Sequence, residues 1–254
     1  APVPWRSILS SWPVWLNILA QWGGIWGLFT AMTHAPTYFK VIHGWNIKAT
    51  GLLSGMPHFI RMAWAYVFSR IGDYLLSTNK MTRTNVRKLA TFFACIVHGF
   101  CMLALAYSGC NSMAAIVFLT AATAIHGAVS TGSLASFVDL SPNYASVQLG
   151  LSGMISVLPG FISPAIVGIL TYNNQTASQW QKVFWISAFM LIVPGILYLF
   201  FAKSELQDWN SPTTGDSALE SEMKTLKNGK VQEDDEEDED KEDVTHNKEE
   251  KVEV

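Results

Sequence analysis

Across residues 1–202 the chain carries only two carboxylates, Asp73 and Asp139, and the remaining eighteen all lie from Glu205 onward. A water-facing surface is usually about a quarter to a third charged. A body of this length with two acids and ten bases cannot be wrapped in water, so it must turn apolar side chains outward to lipid. The stretch beyond residue 202, with eighteen acids and seven bases, is a different material. The formal net charge of −3 averages the two and describes neither.

A bilayer core about 30 Å thick is crossed by about 20 residues of helix. Six apolar stretches reach that length, near residues 12–38, 51–76, 89–108, 113–138, 147–172 and 180–202. The predicted fold is an all-α membrane protein. A segment of residues 1–11 precedes six transmembrane helices over 12–202, and an acidic tail follows over 203–254. That tail contains the unbroken acidic run from Glu233 to Asp240 and few apolar residues, so it cannot bury enough surface to offset ordering and is predicted to be disordered. The chain has neither an initiator Met nor the basic and apolar regions of a signal peptide, and is expected to begin inside a longer protein.

Short cytoplasmic loops retain Lys and Arg. The segment from Ser77 to Lys88 holds Lys80, Arg83, Arg87 and Lys88, which makes it the cytoplasmic side. Alternation then puts both termini on that side and the Asn174-Gln175-Thr176 sequon outside, with Asn174 as a glycosylation acceptor. Cys95, Cys101 and Cys110 form no disulfide framework and read as packing thiols.

Arg61 falls about ten residues into an apolar stretch, a depth of about 15 Å by helical rise. Charges at such depth usually face a cavity or a partner. His58 and Ser54 precede it at helical spacing, so the three share one face. A permanently charged planar guanidinium suits a carboxylate or phosphate, and His58 adds a donor. The other reading is that Arg61 pairs with backbone carbonyls or with an acid elsewhere and locks the bundle. Trp26 and Gln21 either line the same cavity or pack structurally. His98 and His126 stand mid-helix, either as proton relays or as neutral rings hydrogen-bonded within the bundle. Gly127, Thr131 and Ala135 recur every fourth residue and admit a neighbouring backbone. Gly150, Gly153, Pro159, Gly160 and Pro164 favour kinks in the fifth helix. The sequence has no glycine-rich phosphate loop, metal-spaced Cys or His cluster, or nucleophile beside a base, so neither an enzyme nor a cofactor is expected.

A more specific signal lies in Pro4-Trp5-Arg6, Pro13-Val14-Trp15, Trp26, Pro36-Thr37-Tyr38-Phe39, Gly51-Leu52-Leu53-Ser54, Pro57-His58, Val86-Arg87-Lys88, the run from Asp139 to Ala145, Trp180 and Val183-Phe184. In these residues the chain resembles the C-terminal half of the anion:cation symporters of the major facilitator superfamily. That group includes sialin, the vesicular glutamate transporters and the sodium-phosphate cotransporters, and the inorganic phosphate cotransporter branch is the most similar. The resemblance implies two six-helix halves, of which this chain supplies the second, with substrate near the midplane between them. It implies symport of an inorganic or small organic anion, such as phosphate, coupled to sodium or protons by alternating access, with the coupling acid in the missing N-terminal half. It also implies a cytoplasmic latch of Asp73 with Arg83 and Arg87. Glutamate-transporting members carry Arg where this chain has Gly24, so the expectation stops at the anion class. The partners expected are a small anion, the lipid bilayer and the missing half, with no nucleic acid. The location expected is the plasma membrane or a lysosomal or vesicular membrane. The alternative is a non-transporting relative that binds partners through its acidic tail.

Overall fold

The computed structural model describes residues 3–210, with backbone alone over 47–54. The acidic run from Glu233 to Asp240 and the Ser54 side chain, both singled out above, lie outside the described residues. A short helix, α1 (Trp5–Ser10), leads into six long helical runs: α2 (Trp12–His43), α3 (Ile47–Ser77), α4 (Arg83–Ala106), α5 (Ser112–Leu140), α6 (Pro142–Thr171) and α7 (Ala177–Phe201). These coincide with the six apolar stretches of the sequence. By length and composition, α4, α5, α6 and α7 can cross a membrane. At 32 and 31 residues, α2 and α3 are longer still, but Trp, Gly and His dilute the apolar character of α2, and Arg61, Arg70 and Asp73 that of α3.

Local chemistry sets the helix ends. Pro13 opens the first turn of α2, where its missing N–H costs nothing. Gly44 closes that helix at φ 69°, a left-handed conformation that only a residue without Cβ adopts freely. The Thr82 hydroxyl accepts from Asn85 N at 3.3 Å to cap α4, and the Asn111 side chain accepts from Ala114 N at 3.1 Å to cap α5.

Lipid gives apolar side chains no reason to hide, so helices in a membrane associate through close backbone packing. Gly23 of α2 meets α7 so closely that a Cβ there would lie 2.5 Å from the Met190 carbonyl oxygen. A Cβ on Gly195 of α7 would lie 2.8 Å from Cys95 Cβ of α4. On the other side, a Cβ on Gly127 of α5 would lie 2.5 Å from the Arg61 carbonyl oxygen of α3. One turn later the Thr131 hydroxyl is hydrogen-bonded to that of Ser69 at 3.0 Å. Gly127 and Thr131, two members of the small-residue repeat, thus sit at the α3–α5 contact. Phe39, Met102, Leu105, Trp180 and Leu191 fill the main core between α2, α4 and α7. The surface is inverted relative to a water-soluble bundle, with Phe59, Phe161, Phe200 and Ile169 all more than 70% exposed.

Three of the long helices are irregular. In α6 the helix restarts at Pro159, within the Pro- and Gly-rich stretch where kinks were predicted. Unforeseen are a π-helical turn at Phe92–Val97 in α4 and a 3₁₀ turn at His126–Ser130 in α5, followed by a break at Gly132. The two irregular turns pack against each other. Cys95 is buried and donates to the Ala20 carbonyl at 3.6 Å, whereas Cys110 is exposed in the turn between α4 and α5.

Candidate functional site

Two groups of polar residues stand out, one at an end of the bundle and one in its middle. At the end, α4 begins with Val86 and Ala90 turned inward, which carries Arg87 inward with them. Its Nε donates to Asp139 Oδ2 of α5 at 2.6 Å, with 12% and 11% of the two side chains exposed. Its Nη1 donates to the Thr131 carbonyl, beside the break in α5, at 2.9 Å. The residues after α7 lace this end together. Ser204 N donates to Thr84 Oγ1 at 3.1 Å, and the Ser204 and Ser136 hydroxyls pair at 2.8 Å. Gln207 N donates to the Leu140 carbonyl at 2.9 Å, and the Ser141 hydroxyl donates to Asn210 Oδ1 at 2.7 Å.

This corrects the expected latch. The acid that meets the basic segment is Asp139, not Asp73, which is exposed and makes no ion pair among the described residues. Asp73 lies on an exposed face near the end of α3, while the inward face of α4 carries Arg87 toward the end of α5. Arg83, one turn earlier, is exposed and joins Lys88, Asp139 and Lys203 around a cleft of ≈ 760 Å³.

In the middle, Arg61 sits halfway along α3, half-buried, with no ion pair among the described residues. His58, one turn before it and also half-buried, lies within its electrostatic reach. The structure adds a neighbour that the residue spacing did not reveal, because both also lie within electrostatic reach of His126 on α5. His126 in turn meets His98 of α4, with ring centroids 5.6 Å apart and planes at 75°. Both rings are buried, at 1% and 0% exposure.

Among the described residues, none of the four ring nitrogens has a hydrogen-bond partner, so the reading of these histidines as hydrogen-bonded within the bundle is not met there. The Ala94 carbonyl, one turn before His98, faces it without reaching hydrogen-bond geometry. On the α2 side the two rings face Gly24 and Gly27, which carry no side chain to pair with them. Each buried polar atom left unpaired costs about 1–3 kcal/mol. Irregular turns inside helices also recur at functional positions.

The other predicted contacts do not gather around Arg61. Trp26 is buried and packs at a tilt against Trp22, ring centroids 5.3 Å apart, and Gln21 accepts from the Ser133 hydroxyl at 3.2 Å. Neither has a hydrogen bond or ring contact with His58 or Arg61 among the described residues. Asn174 is exposed in the turn between α6 and α7. A buried hydroxyl cluster escaped the sequence reading: Thr30 pairs with Ser163 at 2.7 Å and accepts from Ser187 at 3.3 Å, joining α2, α6 and α7. Its only sequence signal is three isolated hydroxyls in apolar runs.

Long apolar helices around a half-buried mid-helix cation, with a laced polar end, define a polytopic membrane protein. Residues 1–164 match the Major Facilitator Superfamily, and the chain belongs to that superfamily. It is 31% identical over 207 residues to human sialin, covering 82% of this chain and 42% of sialin. It is 30% identical over 228 residues to the Drosophila ananassae protein named "Putative inorganic phosphate cotransporter", covering 88% of this chain and 47% of that one. Against bovine vesicular glutamate transporter 1 it is 32% identical over 209 residues, covering 82% and 37%. All three belong to the anion:cation symporter group. The matched region is less than half the length of each of these relatives.

Proposed function

We propose that this chain is the second, six-helix half of a secondary active transporter that carries an inorganic or small organic anion, phosphate among them, coupled to sodium or protons. The superfamily supports membrane transport, and the names of the relatives support an anionic substrate. In it, α2 through α7 all span the bilayer, residues 1–11 and 203–254 lie in the cytoplasm, and substrate binds between this half and an N-terminal half. The observation that carries the reading is Arg61, a cation at the midpoint of α3 without a counter-ion among the described residues. Such a charge is costly in lipid unless it faces a cavity and an anion. His58 stands beside it as a second donor. Trp26 and Gln21 are assigned to the wall of the substrate path. Arg87 and Asp139, with Arg83 at the rim, form the cytoplasmic gate, and Asn174 is an external glycosylation acceptor.

The test is uptake of labelled phosphate and a panel of organic acids by the full-length protein, with and without sodium and at two pH values. Arg61→Ala is expected to abolish uptake at unchanged surface expression, and Arg61→Lys to restore part of it. Wild-type rates in Arg61→Ala would remove Arg61 from the site. Full uptake by wild type and total indifference to the acidic tail would also dispose of the rival reading, in which the tail acts through partner binding.

A further inference from the structure

The laced end of the bundle leaves open the cleft of ≈ 760 Å³ beside its ion pair, a volume within the range of small-molecule pockets. Arg83 and Lys88 from the start of α4 and Lys203 from the segment after α7 line it. None of the three enters an ion pair among the described residues. Asp139, also in the wall, is already held by Arg87, so the three cations face one further acid, the exposed Glu205. Lys88 stands one turn beyond Thr84 and is half-buried, and a part-buried cation without a counter-ion is costly beside lipid.

The neutral groups of the cleft are donors as well. The Thr82 hydroxyl accepts from Asn85 N and the Thr84 hydroxyl from Ser204 N, and among the described residues neither O–H donates in turn. A hydroxyl whose acceptor side is occupied keeps its proton for an incoming acceptor. Arg83 and Thr84 also open a helical run of 24 residues, and the first N–H groups of such a run carry a partial positive charge. Cations, hydroxyls and helix end all favour an oxyanion, and a phosphate can take such donors on several oxygens at once.

What separates a lipid phosphate from a dissolved one is the adjoining wall. Val138 of α5 and Leu206 line the same cleft with exposed apolar side chains, and Phe201, exposed on the last turn of α7, precedes Ala202 in the wall. Tyr144 and Trp209, with ring centroids 6.3 Å apart, stand at the same end, and such amphipathic rings collect at the level of lipid headgroups. A dissolved anion gains nothing from exposed apolar surface, whereas acyl chains cover it. We propose that this cleft binds the phosphate headgroup of an anionic phospholipid. Arg83, Lys88 and Lys203 are its charge partners, Thr82 and Thr84 its hydroxyl donors, and the acyl chains lie against Val138 and Phe201. The lipid ties the start of α4 to the segment after α7. Basic pockets between membrane helices are general sites for such headgroups. Binding requires only the membrane setting, whatever the bundle carries.

The test titrates the detergent-solubilised full-length protein with dioleoyl phosphatidic acid and, in parallel, with dioleoyl phosphatidylcholine, and counts bound lipid by native mass spectrometry. Phosphatidic acid is expected to bind the more tightly of the two. Lys88→Gln and Lys203→Gln should each weaken it about fivefold, the worth of one Lys or Arg beside an anionic lipid surface, and the two combined with Arg83→Gln roughly a hundredfold. Lys80→Gln removes an exposed cation of the same basic segment that does not line the cleft, and should leave binding unchanged. Equal affinity for the two lipids overturns the proposal, as does an equal loss in Lys80→Gln and Lys203→Gln, which would signify diffuse attraction. Glycerol 3-phosphate, the headgroup without acyl chains, is expected not to displace phosphatidic acid at equal concentration. Full displacement assigns the cleft to a dissolved anion and overturns the lipid. Unfolding midpoints without lipid check each variant's fold, and the single variants decide the matter if the triple one unfolds.

Discussion

The laced end of the bundle and its middle solve the same problem in opposite ways. At the end, Arg87, Asp139, Ser136, Ser204 and Thr84 give one another hydrogen bonds, so a polar cluster is held where lipid would otherwise penalise it. In the middle, Arg61 has no counter-ion and His98 and His126 have no partners among the described residues. Folded proteins pair buried polar groups wherever stability is the aim. The contrast separates residues that hold the bundle together from residues kept available for a visitor.

The sharpest way to break that contrast is at the ion pair. Asp139→Ala leaves Arg87 nearly buried and unpaired, and is expected to cost about 2–3 kcal/mol, read as a lower thermal unfolding midpoint of the detergent-solubilised protein. Arg87→Ala combined with Asp139→Ala should lose less than the two single changes added together, since the double variant strands no charge. Full additivity would mean the pair does not act as a unit. In the middle, His98→Leu removes two unpaired nitrogens at similar volume. Its thermal midpoint should shift by less than about 1.5 kcal/mol-equivalent or rise, because volume-conserving apolar swaps are tolerated. A loss as large as that of Asp139→Ala would erase the distinction. The smallest effect belongs to Asp73→Asn, expected to stay within about 0.5 kcal/mol because an exposed side chain outside any ion pair contributes little. A large loss there would restore Asp73 to the latch.

How much of this could be read in advance depended on whether the cause was local. The shortage of carboxylates and the long apolar runs located the long helices among the described residues, because the apolar character of each segment is local. The depth of Arg61 and its one-turn spacing to His58 are likewise properties of a single helix. What the sequence hid were contacts between helices. Asp139 is fifty-two residues from Arg87, and nothing in the basic segment distinguishes it from Asp73 as a partner. His98 and His126 were visible as mid-helix residues, but their lack of partners depends on Gly24 and Gly27 of a third helix. The cluster of Thr30, Ser163 and Ser187 draws on three helices and was missed for the same reason.

The side-by-side irregular turns of α4 and α5 have a further consequence. A 3₁₀ turn advances each residue by about 120° around the axis, against about 100° in an α-helix. Over the five residues His126–Ser130 the azimuth of α5 therefore runs ahead by roughly 100°. The wider π turn of α4 makes its azimuth lag. A single helical wheel drawn through Ser112–Leu140 would put residues on either side of His126 on the wrong faces. The α3-facing Gly127 and the Arg87-bound Asp139 lie on opposite sides of the break at Gly132, so one wheel cannot hold both.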